Sequence, residues 1–220
     1  MSVNLSKLLQ RSAVVALGLV LAGCTALPHP APSAVRYDLG PAPGLDAAIQ
    51  NLPPLAIAPV QVPFSADSST AVHYRLAYDD AQVLHAYSQA RWSSPPASLV
   101  QQRLKEHLGQ GGRVVLSADA GDLPPQVHGR QVPVLRLMLE EFTQIFSSAQ
   151  DSVGRVRVRA TLVEPSMQGD TLLAQQVFVA QPVAAAANSE AGVRALAQGV
   201  DQVGAQLVQW LQTVVPKPAQ

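Results

Sequence analysis

The side chains best equipped for chemistry in this sequence are one cysteine, five histidines, two adjacent glutamates and three alternating arginines. Cys24 is the only thiol, so it can be a nucleophile, a ligand or an attachment point, but not half of an internal disulfide. His29, His73, His85, His107 and His128 never fall at the short spacings of a metal site, and no H-E-x-x-H stretch occurs. His73 and His85 belong to the two arms of an expected hairpin and could face each other there; half-buried strand histidines are the plainer reading. Glu140 and Glu141 are adjacent in an expected strand, which should send their side chains to opposite faces and suits no acid/base pair. Arg155, Arg157 and Arg159 share one strand face at about 7 Å intervals. They suit phospholipid headgroups or an acidic partner, although ion pairs with the neighbouring strand are the plainer reading. No serine stands in G-x-S-x-G and no Walker-type phosphate loop is present. The sequence therefore offers no catalytic, cofactor-binding or metal-ligating set, and the expectation is a protein that is not an enzyme.

The stretch before Cys24 decides among its roles. Lys7 and Arg11 form a positive region, Ala13 to Leu21 is an uncharged apolar run, and Ala22 and Gly23 are small. Such a run is too short to span a hydrocarbon core, which needs about 20 residues, but has the length of a signal-peptide core. The string LAGC resembles the bacterial lipobox. This implies cleavage before Cys24, a diacylglyceryl group on its sulfur and a third acyl chain on its amine. Several chains, at about 0.8 kcal/mol per buried CH₂, anchor durably where one does not. Thr25 follows where an aspartate would retain a lipoprotein in the inner membrane, which favours the outer membrane. Pro28, Pro30 and Pro32 then favour polyproline II over helix. About ten such residues reach roughly 30 Å. The expected division is signal peptide 1–23, lipidated cysteine and proline-rich tether 24–35, folded domain 36–214 and a disordered tail 215–220.

The elements that must position everything else follow from composition and period. The 220 residues are 48% hydrophobic and 14% charged, with 15 basic and 15 acidic side chains, so no basic face points to nucleic acid. Removal of 1–23 leaves a formal charge of −2. VRYDLG at 35–40 reads as a short strand, and LAIAPVQVP at 55–63 as a strand whose Pro59 demands an edge or a bulge. Residues 71–92 read as a hairpin turning near Asp79 and Asp80. A helix follows, with Ser94 as N-cap and Pro95 at its first position, ending at Gly109, Gly111 and Gly112. RVVLS is a strand, and 118–131 a loop of about fourteen residues, longer than most. Three alternating runs then predict an antiparallel meander, with Leu135, Leu137 and Leu139, and Val156, Val158, Ala160 and Leu162, on its apolar face. A closing helix from Ser189 to Val214, capped by Asn188 or Ser189, carries an apolar stripe of Val193, Leu196, Val200, Val203, Leu207, Trp210, Leu211 and Val214. The fold class is α/β, with α+β the close variant: one domain, a mixed, mostly antiparallel sheet and two main helices.

The segment YRLAYDDAQVLHAYSQARWSSPPASLVQQRLKEHL at 74–108, taken with features before and after it, resembles the ABC-type transport auxiliary lipoprotein family. The resemblance is carried in order by Tyr37 and Leu39, the Ile57–Val60 strand, Tyr74 and Arg75, Tyr87, Arg91 and Trp92 before a proline-started helix, Phe142, Gln144 and Phe146, and a closing helix with Trp210. YDDA at 78–81 departs from it at the hairpin tip. The resemblance implies a non-enzymatic lipoprotein that binds a mammalian-cell-entry-domain protein and its ABC permease and ATPase. It would help lipids or other hydrophobic molecules cross between membranes from an outer-membrane anchor facing the periplasm; a homo-oligomer is compatible with that role. The signature residues read as structural rather than ligand-binding. The competing reading is an assembly lipoprotein of the envelope that docks on another outer-membrane protein.

Overall fold

The computed structural model describes residues 33–44, 52–63, 69–119 and 123–215. Cys24, the apolar run before it, the proline-rich stretch and the PKPAQ tail lie outside the described residues.

Among the described residues there are ten strands, β1 (Val35–Tyr37), β2 (Leu55–Ile57), β3 (Ala71–Leu76), β4 (Asp80–Trp92), β5 (Val115–Ser117), β6 (Gln126–Val127), β7 (Arg130–Gln131), β8 (Val134–Phe146), β9 (Ser152–Glu164) and β10 (Thr171–Ala180), with helices α1 (Pro96–Leu108) and α2 (Ser189–Val214). Eight strands form the main sheet. The meander expected from alternation is its backbone: β8, β9 and β10 pair antiparallel in sequence order. Val156, Val158, Ala160 and Leu162 are fully buried on one face, and Arg155, Arg157 and Arg159 are half-buried on the other.

The second edge of β8 is shared. β2 pairs parallel with Val134 and Leu135, and β3 pairs parallel with Gln144 to Phe146. Between them Gln61 bridges Met138. Ala58 N–H donates to Leu135 O at 3.0 Å and Gln61 N–H to Leu137 O at 2.9 Å. Pro59, which has no N–H, falls in the gap between these donors. Of the two expectations for Pro59 the bulge holds and the edge does not: β2 is buried between β5 and β8.

Both helices cover the same face. α1 starts at Pro96 with Pro95 as its cap residue and no side-chain cap bond, so Ser94 is not the N-cap. Two consecutive prolines supply the fixed φ and need no donor, which makes a hydroxyl cap dispensable. α2 is capped as expected by Asn188, whose Oδ1 accepts from Ala191 N–H at 2.8 Å. Its stripe of Val193, Leu196, Val200, Val203, Leu207 and Leu211 is buried on the sheet. The approach is close because glycine permits it: a Cβ on Gly154 of β9 would lie 2.6 Å from Ala195 C and Leu196 N.

A smaller apolar cluster, Ala56, Val132, Val134 and Val163, occupies the other face and is packed by Ala118 and Val127. The stretch 118–131 is therefore not plain loop. It contains the β6–β7 hairpin, turned by His128 and Gly129 at φ 51° and 74°. Two successive positive φ values are what a tight hairpin turn of matching twist requires.

Candidate functional site

The hairpin β3–β4 and the adjoining end of β8 gather most of the residues singled out in the sequence. Tyr74 stacks on His85 at 5.0 Å and lies 4.5 Å from the Tyr87 ring and 5.9 Å from Phe146. Trp92 meets Phe142 at 5.2 Å. Tyr87 Oη donates to Gln144 Oε1 at 2.9 Å, and Gln144 Nε2 donates to Ser152 Oγ at 2.8 Å. Gln144 is fully buried. Burial, with Tyr74 adding to it, pushes the Tyr87 phenol up to about 12. The register opposes His85 to Tyr74 and His73 to Ala86. The two histidines are thus one step out of phase and on opposite faces, so they do not face each other. Burial, with Arg75 and Arg91 nearby, holds the His73 imidazole below its usual range.

Two arginines brace the backbone of this hairpin. Arg75 Nη1 donates to Ala81 O and Gln82 O at 3.2 and 2.9 Å near the turn. Arg91 Nη1 donates to Tyr87 O and Ala90 O at 2.5 and 2.8 Å. The second pair sits where β4 advances from Ala86 to Arg91 while β3 advances only from His73 to Ala71. That bulge turns carbonyls out of the ladder, and the guanidinium donates to them.

The entry of the chain into the domain is clamped beside Trp92. β1 pairs parallel with β4, Tyr37 opposite Trp92. Ser93 N–H donates to Tyr37 O at 2.7 Å, and Ser93 Oγ donates to Asp38 Oδ2 at 2.8 Å. Leu39 is buried, and the buried Arg103 of α1 donates to Leu39 O at 2.9 Å and to Gly40 O. Arg103 also pairs with Asp201 of α2 at 2.9 Å, and His107 Nε2 lies 3.0 Å from the same oxygen.

The face away from the helices is charged, and the strand pattern misreads it. β8 has a register shift between Leu139 and Glu141, so Glu140 is an extra residue. The bulge places Glu140 and Glu141 on the same face, not opposite ones. Glu140 binds Arg157 Nε and Arg159 Nε, each at 2.6 Å, and Arg155 Nε lies 3.2 Å from Glu141 Oε2. The three arginines are thus spoken for within the sheet, and an acidic partner at this face must displace two carboxylates. Hydrogen bonds from Arg157 and then Arg159 hold the Glu140 carboxyl below the usual range against the opposing effect of burial.

A family model described as ABC-type transport auxiliary lipoprotein component matches residues 37–208, most of the chain. The chain belongs to that family. No curated protein matches its sequence. Among solved structures, protein XCC0632 from Xanthomonas campestris is similar at 17% identity and TM-score 0.63, over 82% of this chain and 96% of that one. A second, uncharacterized protein gives 16% identity and TM-score 0.59, over 81% and 99%. The hypothetical protein CT253 from Chlamydia trachomatis gives 8% identity and TM-score 0.50, over 74% and 98%. These likenesses support the mixed α/β fold and nothing further.

In this auxiliary lipoprotein Tyr37, Trp92 and Phe142 meet where β1, β4 and β8 come together, while Tyr74 and Arg75 lie nearer the hairpin turn. Trp210 lies elsewhere, half-buried at 5.7 Å from Phe178 of β10. Sequence reasoning missed the Arg103–Asp201–His107 cluster, whose carboxylate lies more than 90 residues from both of its partners and carries no local signature. It also missed Arg113, a buried guanidinium whose three nitrogens have no hydrogen-bond partner among the described residues. A cleft of about 580 Å³ opens on the charged side of the sheet between Pro59, Leu123 to Pro125, Arg136 and the 165–170 turn. Among the described residues no three metal-ligating side chains converge, and no helix is long and apolar enough to cross a membrane.

The Glu140 cluster predicts a pH signature. Its lowered carboxyl contributes stability that is present above the ordinary glutamate range and is lost as pH falls through the folded value. Glu140→Gln will therefore destabilise the protein at neutral pH and flatten the acid limb of stability against pH. Urea midpoints from pH 7 to pH 3 measure this, and an unchanged slope removes the carboxylate as its source.

Proposed function

We propose that this auxiliary lipoprotein is held in the outer membrane by an acylated Cys24 and faces the periplasm on its proline-rich tether. There it binds the mammalian-cell-entry-domain protein of an ABC system that moves lipids or other hydrophobic molecules between membranes. The observation that carries the reading is the family match over residues 37–208, joined to the LAGC string at 21–24. The role is non-enzymatic. In support, the matching family is described as an auxiliary component of a transport system. The partner ATPase supplies the energy.

Affinity purification from gently solubilised membranes, with partners read by mass spectrometry, tests the partner. The expected result is a mammalian-cell-entry-domain protein recovered with its permease and ATPase. Recovery of an envelope scaffold without them favours the assembly role instead. The anchor has its own check: the mature N-terminal peptide begins at Cys24 and carries acyl mass, and a mature peptide running unmodified through Gly23 and Cys24 removes it.

A further inference from the structure

The helices cover one face of the main sheet, and strand register shows what lies on the other. Residues paired across strands share a face. Arg136 is opposite Thr161, and Met138, Glu141 and Thr143 are opposite Arg159, Arg157 and Arg155. Val177 and Val179 of β10 continue the rows of Arg159 and Arg157. On the other side of β8, Ile145 pairs with both Val153 and Arg75. His73 and Ala71 share the face of Arg75 on β3, and their partners on β4 are Ala86 and Arg91. The strands of this face therefore hold six arginines and no lysine, against Glu140 and Glu141. The chain without residues 1–23 is formally −2, so positive charge is gathered here against the overall sign.

Part of that charge has no counter-charge. Arg155, Arg157 and Arg159 pair with Glu140 and Glu141, and Arg136 pairs with Asp170. Arg75 and Arg91 donate to main-chain carbonyls instead, and neither forms an ion pair among the described residues. His73 between them reports the excess. Burial, and then Arg75 and Arg91, hold its imidazole below the usual range, where a neighbouring carboxylate would raise it. A carboxylate arriving from outside can meet these two guanidiniums without displacing an acid of this chain.

Neither helix lies on this side, and the small cluster of Ala56, Val134 and Val163 fills only one corner of it. At about 3.3 Å per residue and 4.8 Å per strand, β3, β4, β8, β9 and β10 offer on the order of 800 Å², one side of a standard protein interface. Arginine among apolar neighbours (Leu84, Ile145, Val177 and Val179), with lysine absent, is the composition of such an interface. A headgroup surface is met by mobile basic side chains. Here carboxylates and carbonyls hold the guanidiniums in place.

We propose that this uncovered sheet face docks an acidic protein surface, with Arg75 and Arg91 as its point of entry. This deepens the partner-binding part of the proposed function, and rests on that reading only for the partner's name.

Photocross-linking in isolated membranes that hold the full chain tests it. Benzoylphenylalanine replaces Leu84 on this face or, as control, Gln206 on the solvent side of α2; both positions are exposed. The expected result is a protein adduct at 84, several-fold above that at 206, whose cross-linked peptide is rich in aspartate and glutamate. Ala86 is exposed beside His73, so substitution there spares the fold. Ala86→Lys raises the yield at 84 several-fold, and Ala86→Glu lowers it. Raising salt to about 0.5 M lowers it as well. No adduct at 84, a phospholipid adduct there, a cross-linked peptide without acids, or the same response to lysine and glutamate overturns the proposal. The identity of the cross-linked protein bears on the proposed function, and the charge response bears on this face, so either can fail alone.

Discussion

Trp92→Ala will remove about 3–5 kcal/mol of unfolding free energy, the range for deleting a large aromatic from a core. The ring is 1% exposed and lies against Phe142. Its backbone is held on both sides, by Tyr37 in β1 and by a 2.7 Å bond from its N–H to Thr70 O. Domains of this kind have about 5–15 kcal/mol in total, so expression will fall as well. Urea unfolding is read by Trp210, the one tryptophan left. Trp92→Phe keeps the contact with Phe142 and should recover about half of the loss. A change below about 1 kcal/mol for the alanine variant, against the usual range for such deletions, sinks the claim that this residue pins hairpin, chain entry and β8 together.

Gly154→Ala is the second large effect, and local preference predicts the opposite sign. Glycine inside a strand is worse than alanine by roughly 0.5–1 kcal/mol, so propensity alone makes the variant more stable. The contact overrules it. The new methyl would sit 2.6 Å from main-chain atoms of Ala195 and Leu196, which are backbone and cannot swing aside. α2 must lift off β9, disturbing the packing of Val193 and Leu196. We expect a loss of about 3 kcal/mol, the top of the usual overpacking range, and a melting temperature lower by about 6–12 °C. A melting temperature that is unchanged or higher means the helix does not rest on this strand as described.

How much of this was legible in the sequence depends on how local each feature is. The β8–β10 meander and α2 announce themselves by period, and the hairpin 71–92 by two runs and an acidic turn, so all three are as expected. The bulge at Glu140 has no marker, since nothing in LEEF distinguishes one extra residue from regular alternation; that single residue reverses the reading of Glu140 and Glu141. His128–Gly129 did carry a signal. Histidine is among the residues enriched at positive φ, and glycine follows it, but the strands it joins are only two residues each. The ion cluster of Arg103, His107 and Asp201 depends on two helices meeting, which no window of sequence contains. Arg91 and Trp92 stand out in the sequence; that the arginine braces a bulge does not, because the bulge exists only relative to β3.

The shared edge of β8 also dictates an order of events when the chain is made. A polypeptide emerges N-terminus first, yet β2 has no partner of its own neighbourhood: its neighbours Val115 and Val134 arrive about 60 and 80 residues later. β3 waits in the same way for Gln144 to Phe146. Long-range parallel pairing is slow to form and leaves apolar segments uncovered meanwhile. The sheet that joins β2 and β3 through β8, including the buried LAI segment, therefore stays unassembled until β8 and β9 have zipped, and a chain truncated before about residue 165 should be a substrate for chaperones and proteases rather than a smaller folded protein.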